Sequence, residues 1–195
     1  MAKRALLVID AQNVYTSPDS ELHCKGARQT IGRINELIAD AQRRNDIIVL
    51  IRHIHRSDGS DLGRMFDYLG EPEEDFNFKD GTPEVEFDPA LELPKKHIEI
   101  TKTRYSAFVG TDLDATLRSR NIDSVTICGF MTNFCCEGTA RHAHDLDYFV
   151  DFLTDATGTP GTEKQTQADL RTRVADTLQA GYARTWTTRR WCSRP

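Results

Sequence analysis

Three side chains with chemistry to offer stand far apart in this sequence: Asp10, Lys102 and Cys135. Cys135 lies in the stretch S-V-T-I-C-G-F-M-T-N-F-C-C-E-G-T-A-R, residues 124–141. A free cysteine is ordinarily a small buried hydrophobe. A cysteine in the first turn of a helix is different, because unpaired N–H groups and the helix dipole favour the thiolate, the nucleophilic form. A lysine ammonium beside it would favour that form further. An aspartate in reach would take the thiol proton and later return it to a leaving nitrogen. Together the three types make a cysteine nucleophile, a base and a cation that holds both.

Each of the three follows the carboxyl end of a different expected strand. Ala5 to Ile9 is apolar throughout and stops at Asp10, where an unpaired carboxylate would be costly. His97 to Thr101 leads to Lys102, and Val125, Ile127 and Cys128 precede Gly129. Thr132 and Asn133 then stand where a helix N-cap is wanted, with a helix expected from Phe134 to about Asp145. Ile31, Ile34, Ile38 and Ala41 mark an amphipathic helix over 27–44, and Ile47 to Ile51 a second strand. A helix over 112–120, a strand over 145–152, a helix around Leu170, Val174 and Leu178 and a short strand over 183–188 complete the pattern. Alternation of this kind implies right-handed parallel units and a three-layer α/β/α sandwich with about six parallel strands. Ligands in such sheets bind beyond the carboxyl ends of the strands, where the strand order reverses. If the first and fourth strands are neighbours, Asp10 and Cys135 flank one crevice, and the chain leaving the third strand carries 102–108 across it.

Composition narrows the function. A chain of 195 residues suits one domain, 1–195. A net charge of −5 with no basic stripe argues against nucleic acid. No signal peptide or membrane-length apolar run stands out, and five cysteines without framework spacing suit a reducing cytoplasm. Residues 52–96 are rich in Gly, Pro and acidic residues, and read as a lid-like excursion with one short helix near 62–69. Within it His53 and His55 would point to one face of a continuing strand and could share a metal with Asp58 or Asp61. One pocket-facing histidine beside one structural histidine is the reading preferred here, with no metal and no cofactor.

Three blocks, V-I-D-A-Q-N-V-Y (8–15), K-T-R-Y-S-A-F (102–108) and G-F-M-T-N-F-C-C-E-G-T-A-R (129–141), resemble the signatures of the isochorismatase-like cysteine hydrolases. The resemblance implies a sheet of order 3-2-1-4-5-6 and a catalytic triad of Asp10, Lys102 and Cys135. It also implies a cis peptide before Met131, an oxyanion hole from the N–H groups of Met131 and Cys135, and a homo-oligomer. True isochorismatases cleave a vinyl ether and typically lack the cysteine, whereas nicotinamidases carry Asp-x-His where this chain has His53-x-His55. The second and third blocks look more like the N-carbamoylsarcosine amidase and ureide-hydrolase branch, with Cys136 where valine is usual.

The expected activity is therefore hydrolysis of a C–N bond in a small amide, carbamoyl or ureide substrate through an acyl-thioenzyme. Tyr15, His53, Tyr105 and Phe108 are expected to line the pocket. Besides a nicotinamidase-like amidase, two readings of other classes compete. One is hydrolysis of an isochorismate-like vinyl ether, with Asp10 as acid and Arg52 and Arg104 binding carboxylates. The other is a non-catalytic module that keeps the fold.

Overall fold

A computed structural model describes residues 3–67 and 76–194. The chain runs β1 (Arg4–Ile9), α1 (Asn13–Thr16), α2 (Ala27–Arg44), β2 (Ile47–His53), a 3-10 turn (Pro83–Val85), β3 (Ile98–Lys102) and α3 (Leu113–Arg118). It continues through β4 (Ser124–Phe130), a π-turn (Thr132–Cys136), α4 (Glu137–Asp145), β5 (Phe149–Gly158), α5 (Gln167–Gly181), β6 (Arg184–Trp186) and α6 (Thr188–Cys192). The six strands form one parallel sheet of order β3-β2-β1-β4-β5-β6.

The apolar run of β1 is explained by burial on both faces. Ala5, Leu7 and Ile9 enter one core with Leu113, Leu117, Ala140, Ala143, Val174 and Leu178, the inner faces of α3, α4 and α5. Leu6 and Val8 enter the other with Ile31, Ile34, Ile38 and Ala41 of α2. The two-residue period of the strand thus feeds both helical layers. No helix among the described residues is long and apolar enough to cross a membrane.

Several expectations about local structure need correction. Residues 62–67 form turns and bends instead of a helix, and the rest of the expected helix and the acidic run 71–75 lie outside the described residues. The helix after Cys135 extends to Asp145, and Asp147 turns the chain with φ 66°, so β5 starts only at Phe149. Thr132 and Asn133 do not cap a helix. The Thr132 hydroxyl donates to Thr157 Oγ1 at 3.0 Å, and Asn133 Oδ1 accepts from Thr159 at 2.6 Å, which ties the π-turn to the end of β5. The register between β4 and β5 shifts between Ile127 and Gly129, so that Thr157 comes opposite Gly129. That irregularity sets the threonine in place to hold the turn.

Candidate active site

The sheet order puts β1 beside both β2 and β4, so the strand order reverses at the carboxyl end of β1. Ile9 pairs with Ile51 on one side and with Gly129 on the other. Asp10 follows at once in the left-handed region, φ 49°, which Asp tolerates better than most residues. Its N–H donates to Ile51 O at 2.9 Å, and the tilt this gives the chain leaves the carboxylate buried at the crevice. Lys102 is the last residue of β3, opposite His53 at the end of β2. Its stem reaches past the end of β2 toward β1. Cys135 sits in the π-turn after β4, with Cys136 N–H donating to Met131 O at 3.1 Å. The Phe130–Met131 peptide is cis.

These three side chains meet. Lys102 Nζ is 2.9 Å from Asp10 Oδ2 and 3.2 Å from Cys135 Sγ, and it donates to Arg104 O at 3.0 Å. An ammonium has three hydrogens, so these partners use all of them. The ammonium is held at Asp10 Oδ2, and the structure shows no hydrogen bond to Oδ1, which leaves that oxygen able to accept a proton. Burial raises the Asp10 pKa, and the Lys102 charge works against that rise. The Lys102 pKa is also raised: its own burial is outweighed by the attraction of Asp10 and Cys135.

The thiol departs from the sequence expectation. Burial pushes the Cys135 pKa up to about 12, against the pull of Lys102. The lysine charge is already matched by Asp10, so little is left over to stabilise sulfur. With a pKa that high, the resting group at neutral pH is a thiol.

His53 is also brought to the cluster: Asp10, His53 and Cys135 each offer a ligand atom, all within 4.8 Å of one another. Such a set could hold a metal ion in principle. Here the lysine ammonium lies in contact with both the carboxylate and the sulfur and supplies the cation that the donors call for. Tyr15 is buried beside it, its ring stacked on Phe130 with centroids 5.7 Å apart, and burial holds its hydroxyl far above its usual pKa.

Tyr105 and Phe108 are placed differently. Tyr105 is exposed and packs on Phe134, ring centroids 5.3 Å apart, while Phe108 packs in the core against His142 and Tyr148. The arginines considered for a diacid are engaged elsewhere. Arg52 pairs with Glu86 at 3.5 Å and Glu99 at 3.2 Å, and Arg104 donates to Asp61 O at 3.1 Å. A broad cavity of about 1120 Å³ lined by Lys3, Arg4, Arg44, Asp46 and Asn121 opens at the amino end of the strands, away from the three residues.

Gln12, which the sequence does not single out, is a buried neighbour of the site. Its Nε2 donates to His53 O at 3.0 Å and Val85 O at 2.8 Å, and its Oε1 accepts from His53 N–H at 2.9 Å. This buried amide fixes the backbone of the histidine and ties the 52–96 excursion to β1. Its position two residues after a buried aspartate was the available signal. Phe78 stacks on the His53 imidazole, centroids 4.4 Å apart.

The isochorismatase domain family model matches residues 4–182. An uncharacterized isochorismatase family protein of Bacillus subtilis is 32% identical over 174 residues, 87% of this chain and 84% of that protein. A ureidoacrylate amidohydrolase of Variovorax paradoxus is 31% identical over 174 residues, 78% of this chain and 68% of that protein. Among solved structures, a cysteine hydrolase of Pseudomonas syringae pv. phaseolicola superposes with a TM-score of 0.90 at 30% identity, covering 97% of this chain and 91% of that one.

Proposed function

The chain belongs to the isochorismatase family of hydrolases, and on that premise we propose that it is a cysteine amidohydrolase cleaving a C–N bond in a small amide, carbamoyl or ureide substrate. The observation that carries this reading is the buried lysine ammonium in contact with both an aspartate and a cysteine, at 2.9 and 3.2 Å. The name of the Variovorax relative, a ureidoacrylate amidohydrolase, points to the same substrate class.

The chemistry follows from the charges. Cys135 Sγ attacks the carbonyl carbon as its proton passes to Asp10, whose Oδ1 is not held by the ammonium. The C–S bond forms and the carbonyl π-pair moves to oxygen, where the N–H groups of Met131 and Cys135 hold it. Lys102 stays charged throughout; it balances the carboxylate before the transfer and the sulfur during it. Collapse expels the nitrogen, which takes the proton from Asp10 and departs as ammonia or an amine. Water, deprotonated by Asp10, then attacks the thioester and releases the acid and the thiol. The sum is amide plus water to acid plus amine.

The vinyl-ether alternative loses support because Arg52 and Arg104 are engaged by Glu86, Glu99 and a backbone carbonyl. The test is turnover of a panel of small amides and ureides by the wild type, Cys135→Ala and Asp10→Asn. Each substitution is expected to cost at least ~100-fold. A Cys135→Ala variant within a few-fold of wild type would refute the reading.

A further inference from the structure

His53 belongs to a hydrogen-bonded chain that the proposed mechanism does not use. Its Nε2 lies 2.9 Å from His55 Nε2, and His55 Nδ1 lies 3.2 Å from Asp61 Oδ1. Both imidazoles are buried, and His53 Nδ1 is a buried atom with no partner.

The polarity of this chain can be worked out from its outer end. Asp61 accepts the Arg56 N–H on both carboxylate oxygens, at 3.1 and 3.2 Å, so it is an acceptor. His55 Nδ1 must then carry the hydrogen donated to it. Burial lowers the His55 pKa, so the ring is neutral and its Nε2 is a lone pair. His53 Nε2 must therefore donate to it. Burial, and next the Lys102 charge, hold His53 well below its usual pKa, so it too is neutral and its Nδ1 is bare. Lys102 cannot supply the missing hydrogen, because its three donors are already used. The thiol proton leaves for Asp10.

A ring nitrogen of His53 lies within 4.8 Å of both the Asp10 carboxylate and the Cys135 sulfur. Nε2 is paired with His55, so Nδ1 is the ring nitrogen of His53 left without a protein partner for a substrate held beside Asp10 and Cys135. We infer that His53 reads the substrate by accepting a hydrogen bond from an N–H on the nitrogen of the scissile bond, and that His55 and Asp61 are positioning residues that fix this polarity. The inference rests on the amidohydrolase reading and narrows it: the favoured substrates are primary carboxamides, carbamoyl groups and ureides with a hydrogen on that nitrogen. A fully alkylated amide, or a vinyl ether with only an oxygen lone pair there, would set acceptor against acceptor and leave the imidazole nitrogen unpaired.

Two measurements test it. Nitrogen-15 NMR of histidine-labelled protein reads the tautomer without any turnover, and His53 is expected to be protonated at Nε2 and bare at Nδ1. The second is kcat and KM for a primary amide against its N,N-dimethyl analogue in wild type, Asp61→Asn and Asp61→Glu. Asp61 is partly exposed, so these variants should fold. Asparagine can donate to His55 and reverse the chain, so preference for the N–H substrate should fall about tenfold, chiefly through KM. Glutamate, an acceptor only, should restore both tautomer and preference. A protonated Nδ1 in an active amidase overturns the inference and spares the amidase reading. A bare Nδ1 in an enzyme that turns over no amide overturns the amidase reading and the substrate inference with it, and leaves only the polarity of the histidine chain standing. An Asp61→Asn variant with wild-type tautomer and selectivity also overturns it.

Discussion

Lys102 Nζ stands 2.9 Å from Asp10 Oδ2 with both side chains wholly sealed from water, at 0% exposure. Two charges so placed repay their desolvation only through each other. Lys102→Met, which keeps the stem length, leaves the carboxylate buried without its cation. The expected loss is about 3–5 kcal/mol of stability near neutral pH, read as a fall in the urea midpoint. With the lysine gone, burial acts on Asp10 unopposed and its pKa rises further. A folded-state pKa raised above the unfolded one costs stability as pH climbs through it. The deficit of the variant should therefore shrink as pH is lowered toward the ordinary carboxylate range. A deficit that stays constant with pH would mean that Asp10 is not the group left uncompensated.

The thiol gives a second prediction, opposite to what its place in a helix turn suggests. With its pKa pushed up to about 12, Cys135 is almost entirely protonated at neutral pH. The thiolate fraction falls roughly a thousandfold below that of a free thiol, and the higher intrinsic nucleophilicity recovers only part of this. Iodoacetamide should label Cys135 in the resting enzyme at least ~10-fold more slowly than free cysteine near pH 8. Cys192, the one cysteine of the five that is not buried, should label first. Peptide mapping by mass spectrometry decides it, and rapid modification of Cys135 at neutral pH would show a resting thiolate.

The sheet order and the meeting of Asp10, Lys102 and Cys135 were legible because each signal was local and strong. Asp10, Lys102 and Cys135 each follow or close a different strand, β1 and β4 being buried along nearly their whole length, and the topology of parallel sheets does the rest. The charge state of sulfur was not legible. It depends on how the ammonium is shared between Asp10 and Cys135, and distances of 2.9 and 3.2 Å have no counterpart in spacing along the chain. Tyr105 and Phe108 lie in the right block, yet one packs on Phe134 and the other enters the core. A seven-residue block names the loop but not the direction of each side chain. Gln12 is not legible for a related reason: its partner, His53, lies on another segment whose path the sequence leaves open.

The pH dependence of turnover tests the base directly. Asp10 must be ionised to take the thiol proton, and its pKa lies above the usual carboxylate value because burial outweighs Lys102. The carboxyl therefore keeps its proton to a higher pH than an exposed aspartate would. The rate is expected to fall on the acid side through an apparent pKa above the ordinary aspartate range. That limb should disappear in the residual activity of Asp10→Asn. An acid limb at the pKa of a free aspartate, or one that survives in Asp10→Asn, would assign the base elsewhere.

Gly129 explains how β4 can approach β1 closely enough to bring Cys135 to Asp10. Its φ is 123°, a conformation that side chains rarely adopt, and a Cβ there would meet the carbonyl oxygen of Ile9. Ile9 is the residue before Asp10, so relief of the clash must move the aspartate. Gly129→Ala is expected to cost at least about 3 kcal/mol and to abolish activity in any protein that still folds. Gly32→Ala is the matched control: it lies within α2 with open space around the added methyl. Helix propensity alone should make that variant more stable by about 0.5–1 kcal/mol. Urea unfolding of the two variants separates a general effect of alanine from contact at this crossing. A Gly129→Ala protein of wild-type stability and turnover would mean that the strands do not meet as closely as this carbonyl contact requires.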